Sequence, residues 1–306
     1  MRCKVLITGV AGFIGSNLAH YLLKKGYDVR GIDNLSYGVK EQIPKNVDFI
    51  NADIRDNNIT RCFDDIDAVF HLAAKNCIPD CQDDPLETAS INTFGTVNIL
   101  DKCKVSGINR IILAESSAIY EGSNNFPTKE FEEAPLSFYA ISKFCDKLYS
   151  EAYARFEKLN ITSLRYFNVY GPRQDYRRSI PPLMSAIIIK LLKNEKPSIF
   201  GDGTKRRDFV YVDDVNRFHE MVINCNRSYG QTYNIGSGKN YSVNEIFKII
   251  NNLLGKSISP NYTEDLPGEA FQNLADISKA KSLGWIPKVS INDGIKKSID
   301  YIKSII

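Results

Sequence analysis

At 306 residues, with 43% hydrophobic and 25% charged side chains, the chain has the ordinary composition of a globular enzyme, and this excludes a disordered polymer. Lysine and arginine total 39 against 36 acidic residues, a formal charge of +3 with the basic residues scattered, so no nucleic-acid partner is expected. No window approaches the roughly 18 apolar residues of a membrane span, and Met1-Arg2-Cys3-Lys4-Val5 lacks a signal-peptide pattern, so a cytoplasmic location is expected.

The first half alternates strand and helix patterns: Cys3 to Thr8 as strand, Phe13 to Lys25 with helical spacing, then Asp28 to Ile32 as strand. The alternation continues through Val47 to Ile50, Ala68-Val69-Phe70, a helix over Ile91 to Cys103, the strand Arg110 to Ala114, a helix over Tyr139 to Leu159 and the strand Thr162 to Tyr166. Such an order predicts an α/β fold, a doubly wound parallel sheet with helices on both faces, because parallel strands need crossover connections. From Asn168 to Asp214 the chain is rich in Pro, Gly, Arg and Asp, which reads as loops of a substrate-covering lobe. Helices return at Pro182 to Leu192, Val215 to Cys225, Val243 to Leu254 and Ile291 to Ile305. The expected division is a Rossmann domain over residues 1–167 and a smaller mixed lobe over 168–306, with segments near 205–236 packing back onto the first. Of seven cysteines only Cys77 and Cys81 are close, with no second pair or His cluster to complete a tetrahedral site, so reduced thiols and no metal are expected.

Between the first strand and helix lies Gly9-Val10-Ala11-Gly12-Phe13-Ile14-Gly15. Glycines there let the backbone approach a pyrophosphate, whose charge meets the positive end of the helix. The second strand leads to Asp33, an acid placed to accept hydrogen bonds from an adenosine ribose. A carboxylate there repels a 2′-phosphate, and Asn34-Leu35-Ser36 offers no arginine, so NAD is favoured over NADP. Asp53-Ile54, Leu72-Ala73-Ala74 and Asn92 are further candidates to line the groove, each with a packing or capping explanation of its own.

Tyr139-Ala140-Ile141-Ser142-Lys143 places a phenol and an ammonium on one helical face. Bringing a tyrosine from about pH 10 to about 7 needs roughly 4 kcal/mol, which the lysine and a positive nicotinamide could jointly supply. The strand before it runs into Glu115-Ser116-Ser117, delivering hydroxyls to the carboxyl edge of the sheet, and Ser117 is expected to bond the reacting hydroxyl beside Tyr139. Lys75, directly after the Ala73-Ala74 turn, is a candidate to read a polar or anionic sugar substituent, against the plainer reading of a solvent-facing lysine.

With these motifs in hand the chain resembles the extended short-chain dehydrogenase/reductases, specifically the nucleotide-sugar epimerases and dehydratases. The resemblance covers nearly the whole length, including His71-Leu72-Ala73-Ala74, Arg165 to Arg173, Gly201-Asp202-Gly203, Arg207 to Asp214, Asn234-Ile235-Gly236 and Ala275-Asp276 through Leu283-Gly284-Trp285. It implies a two-lobed, homodimeric enzyme that keeps NAD bound while a nucleoside-diphosphate sugar is oxidised at carbon 4. It also implies that Asn168 and Arg207 hold the diphosphate, that Phe200 stacks on the base and Glu269 takes the ribose hydroxyls, and that Leu274 walls the hexose site. The departures are Glu115, Glu121, Phe138, Leu266 and Lys75, at positions usually serine, glycine, proline, arginine and an uncharged residue. By the same resemblance, 4,6-dehydratases carry an Asp-Glu pair directly after the catalytic hydroxyl and decarboxylases an acid at its second position. This chain has Ala118 and Ile119 there, which favours 4-epimerisation of a UDP-hexose or UDP-N-acetylhexosamine. A 4,6-dehydratase or 4-oxidase using Glu115 or Glu121 is the alternative. A non-catalytic NAD-sensing module would be marked by loss of Tyr139 or Lys143, and both are present.

Overall fold

The computed structural model describes residues 3–175, 181–265 and 270–306. Its strands β1 (Lys4–Thr8), β2 (Asp28–Asp33), β3 (Asp48–Asn51), β4 (Ala68–His71), β5 (Arg110–Ser116) and β6 (Asn160–Tyr166) join the strand Gln231–Ile235 in a seven-stranded sheet. Its order is Gln231–Ile235, β6, β5, β4, β1, β2, β3, and every pair from β6 to β3 is parallel. The chain therefore moves outward from β1 to β3, then returns to β1's other side with β4, and this reversal point is where ligands of such sheets bind. β4 is buried throughout and β5 over all but its last residue, as expected of central strands covered on both faces. Their central residues, Val69-Phe70 and Ile111 to Ala114, are therefore continuously apolar rather than alternating.

The helix α1 (Phe13–Lys24) buries Leu18, Ala19 and Leu22. Elsewhere in the sheet's packing, Leu6, Ile32, Val69, Ile111 and Leu113 meet Ile99, Leu100 and Cys103 of the helix Gly95–Val105. Each such aliphatic side chain contributes about 1.5–3 kcal/mol on burial. Because the paired strands are parallel, their carboxyl ends come out on one edge, and Gly9, Asp33, Leu72 and Ser117 each follow or end a strand there.

Two compact units are formed, one of Met1–Asn124, Glu130–Tyr166 and Asn216–Asn234, the other of Asn125–Lys129, Phe167–Val215 and Ile235–Ile306. In the second unit, Asn168–Tyr170, Arg206–Tyr211 and Asn240–Ser242 make a three-stranded sheet, and Ser198–Phe200 pairs with Asn261–Thr263. The expectation of loops over Asn168 to Asp214 is thus overturned. The strands in it are three to six residues long, too short for an alternation to register, and two of their partners come from beyond residue 239. The helix Val243–Leu253 opens on a capping box of Ser242 and Glu245. Among the described residues no helix is long and apolar enough to cross a membrane.

Candidate active site

The turn after β1 is built by its backbone. Gly9 has φ +74°, and a Cβ on Gly15 would lie 2.1 Å from the Gly9 carbonyl oxygen, so neither position accepts a side chain. A Cβ on Gly9 would also lie 2.9 Å from the Ala73 backbone, which places Leu72-Ala73-Ala74 against the glycine turn. Thr8 ties the two turns together: its hydroxyl oxygen accepts from the Leu72 and Ala73 amides at 3.2 Å and bonds His71 Nδ1 at 2.7 Å. α1 starts at Gly12 with no side-chain cap and no acid in its first turn, leaving the amides around Phe13 and Ile14 suited to an anion.

Asp33, at the end of β2, is half-buried. Its Oδ2 accepts from the Ala11 amide at 2.9 Å and its Oδ1 from the Leu35 amide at 2.8 Å. Burial pushes its pKa up while these amides pull it down. The carboxylate is thus locked beside the glycine turn, an arrangement that fits a ribose diol. Asn34 donates to Asp53 at 2.9 Å, and Arg55 grips Asp53 with two bonds that hold its pKa down at about 2. Ile54 is buried against Gly95.

Asn92 is fully buried. It accepts from the Lys75 amide at 2.8 Å and donates to the Lys75 carbonyl and the Ser142 hydroxyl, so it ties the turn to the helix that carries Ser142. Lys75 itself is only 4% exposed, and its ammonium pairs with Glu87 at 2.8 Å. The solvent-facing reading of Lys75 is therefore overturned: the side chain is buried and its charge is engaged by a neighbouring carboxylate.

The helix Phe138–Phe156 is capped by Ser137, whose hydroxyl accepts from the Ala140 amide at 3.1 Å. Glu121 reinforces this start, accepting from the Ser137 amide at 2.8 Å and hydroxyl at 2.9 Å. One turn in, Lys143 is buried and donates to the Ala114 carbonyl at 3.1 Å and to Asp146 Oδ2 at 3.0 Å. Burial opposes its charge, but Asp146 and the Tyr139 phenol outweigh that and raise its pKa. The surrounding protein pushes the Tyr139 pKa up, while Lys143 and a hydrogen bond from Ser116 pull it down.

That bond corrects the serine. Ser116, not Ser117, is the hydroxyl beside Tyr139, because β5 runs two residues past its expected end at Ala114 and Ser116 is its last strand residue. Ser117 instead opens a short 3-10 turn, in which Ser116 Oγ accepts from the Ala118 amide at 3.1 Å. The two residues following Ser116 are Ser117 and Ala118, so the absence of an acid there is unchanged. Glu115, the other departure in this strand, is buried and accepts from Arg165 at 2.6 Å, and Arg165 also pairs with Glu133.

In the second unit, Asn168 donates to the Asp208 carbonyl at 3.0 Å and to Asn273 Oδ1 at 3.2 Å. Arg207 is half-buried, with bonds to the Arg206 and Phe271 carbonyls. Phe200 is exposed on its strand, and Leu274 is half-buried. Glu269 and Leu266 lie outside the described residues. Sequence reasoning passed over Thr8, His71 and Asp146, although the Lys143 to Asp146 spacing of three is a helical-neighbour signal that was available.

Residues 5–236 match the model of the NAD dependent epimerase/dehydratase family. The chain is 36% identical to a UDP-glucuronate 4-epimerase of Thermodesulfobacterium geofontis, over 97% of this chain and 95% of that one. Its fold is similar to that of a UDP-glucose 4-epimerase from Thermotoga maritima solved with UDP-glucose, at TM-score 0.95 and 35% identity over 99% of each chain. It is equally similar to a UDP-N-acetylglucosamine 4-epimerase from Methanobrevibacter ruminantium solved with UDP-N-acetylmuramic acid, at TM-score 0.95 and 32% identity over the whole of both chains. With its glycine turn, Asp33 and the Ser116, Tyr139 and Lys143 cluster on one sheet edge, the chain belongs to the NAD-dependent epimerase/dehydratase family.

Proposed function

We propose that the protein is an NAD-dependent 4-epimerase of UDP-sugars, acting on a UDP-hexose or UDP-N-acetylhexosamine by transient oxidation at carbon 4. The observation that carries this reading is the cluster of half-buried Ser116 and Tyr139 with buried Lys143, and no acid in the two positions after Ser116. Tyr139 takes the proton of the carbon-4 hydroxyl, keeps it, and returns it after the keto sugar has turned over in the site. Ser116 aligns that hydroxyl, and the Lys143 ammonium stabilises the phenolate. The glycine turn and Asp33 would hold NAD, which would accept the carbon-4 hydride and give it back to the other face of the keto sugar. Elimination of water would need an acid and base at carbons 5 and 6, and the two flagged carboxylates are committed elsewhere: Glu115 to Arg165, Glu121 to the helix cap.

A cytoplasmic homodimer is part of this reading. The helix Phe138–Phe156 leaves Ile141, Leu148, Tyr149 and Phe156 exposed, and Phe94 and Val105 are exposed beside and on the helix Gly95–Val105, a set of apolar groups suited to a second copy. Light scattering at micromolar concentration should give twice the chain mass. The reaction is tested by incubating the holoprotein with UDP-glucose, UDP-galactose, UDP-N-acetylglucosamine and UDP-glucuronate, followed by mass and proton NMR analysis. An epimer of unchanged mass is expected, and a product lighter by one water would overturn the assignment.

A further inference from the structure

We propose that Asp146 is a positioning residue that anchors the Lys143 ammonium and, by balancing its charge, sets the pH at which the Tyr139–Lys143 couple gives up its first proton. This deepens the reading of Tyr139 as the base and rests on it.

The geometry is that of a buried ion pair three residues apart on the catalytic helix, with the Lys143 and Asp146 side chains 4% and 0% exposed and 3.0 Å between Nζ and Oδ2. A lysine ammonium has three donors. Asp146 and the Ala114 carbonyl take two of them, which fixes the direction of the third. Asp146 Oδ1 is fully buried and makes no hydrogen bond of normal geometry; the polar group beside the carboxylate is the Thr96 hydroxyl, itself 3.0 Å from His71 Nε2. Lys143 is the cation paired with Asp146. Glu115 faces it from β5, Cys145 and Tyr139 from its own helix, and His71, reached through Thr96, is held neutral by burial and by Lys143, its pKa lowered to about 3. Burial pushes the Asp146 pKa up to about 6 while Lys143 pulls it down, and at 3.0 Å the two groups form a pair that carries no net charge.

The consequence is directional. A buried ammonium without its carboxylate would be an uncompensated positive charge next to a phenol, and the couple would relieve it by losing a proton. Asp146 prevents this in the resting protein and holds Tyr139 protonated to higher pH, consistent with Asp146 acting to raise the phenol's pKa. Removing the charge but not the shape should therefore move proton loss from the couple to lower pH.

The test uses NAD-loaded protein and two readouts. The ultraviolet tyrosinate signal, taken as the difference between each protein and its Tyr139→Phe counterpart, follows the couple without any sugar. The acid limb of kcat/KM follows it with whichever UDP-sugar is turned over. Asp146→Asn should move both to lower pH by about one to two units, the range for an opposite charge at this distance, whereas Asp146→Glu, which keeps the charge, should stay within about half a unit of the parent. An Asp146→Asn protein that loses activity while both midpoints stay where they were would reduce Asp146 to a structural role and overturn the proposal. Should Asp146→Asn not fold, Asp146→Ser is read in the same way. Failure of both neutral variants with folding of the glutamate also overturns it. If no sugar is turned over, the proposed reaction fails, while the tyrosinate midpoint still decides the role of Asp146.

Discussion

The turn after β1 and the turn after β5 leave the same edge of one parallel sheet, yet they hold their working groups differently. At β1 the backbone is the site. Gly15 lies so close to the Gly9 carbonyl that neither position has room for a side chain, and α1 begins there with no side-chain cap on its first amides. At β5 the working group is a side chain, and which of two adjacent serines points at Tyr139 depends on where the strand ends. Extension of β5 by two residues, through pairing of Glu115 with Arg165 and Ser116 with Tyr166 on β6, selects Ser116. A site made of backbone survives an error of register, and a site made of side chains does not.

Tyr139→Phe probes the side-chain site with the largest expected loss. It should cut turnover by about a thousandfold or more, the upper range for general acid-base groups, with bound NAD unchanged because the β1 turn is untouched. Bound NAD is measured by absorbance after denaturation, and turnover near the parent's would remove Tyr139 from the chemistry. Gly15→Ala is the converse probe. Its methyl would fall 2.1 Å from the Gly9 oxygen, so the turn must open, and the purified protein should carry less than about a tenth of the parent's NAD. A fully loaded Gly15→Ala protein would mean that the turn accepts a side chain at a position taken here to have no room for one.

The sharpest use of the comparison is the pair Ser116→Ala and Ser117→Ala. Loss of a hydrogen bond made in the transition state should lower kcat by about ten- to a hundredfold in the first, and the second should change it by less than about threefold. A larger loss at Ser117 would restore the serine expected from sequence.

Much of the first unit was legible for the reason the β1 turn was. Glycine spacing, the acid ending β2 and a phenol four residues before a lysine are local patterns, and β1 to β6 lie within a few residues of their expected positions. What escaped needed partners distant in sequence. Arg206–Tyr211 is a strand because Asn240–Ser242 and Asn168–Tyr170 flank it, Asn92 is a brace because it meets Lys75 and Ser142, and Lys75 is buried because Glu87 neutralises it. None of these partners lies in the local pattern from which each residue was read, and for Lys75 the charge favoured a solvent-facing reading that pairing overturns.

The effect confined to one class of substrate concerns the second unit, where backbone and side chain can be separated at one residue. The carbonyl of Leu274 accepts from the Thr128 amide at 2.8 Å and Ala275 is buried beside it, so the main chain is fixed and the half-buried leucine side chain is the variable part. If that side chain walls the hexose site, leucine leaves room that a tyrosine ring would fill, and an acetamido methyl would bury apolar surface there. N-acetylhexosamine nucleotides should then be accepted at least as well as plain hexose ones. Overfilling a packed site costs about 1 to 3 kcal/mol, so Leu274→Tyr should lower kcat/KM for UDP-N-acetylglucosamine by roughly tenfold or more and spare UDP-glucose. A leucine that only packs its own unit makes a different prediction, because the larger ring would then destabilise the fold and both substrates would lose alike. The ratio of the two kcat/KM values in parent and variant separates these outcomes. Equal losses, or a parent protein that refuses every N-acetylated sugar, would take Leu274 out of the sugar site.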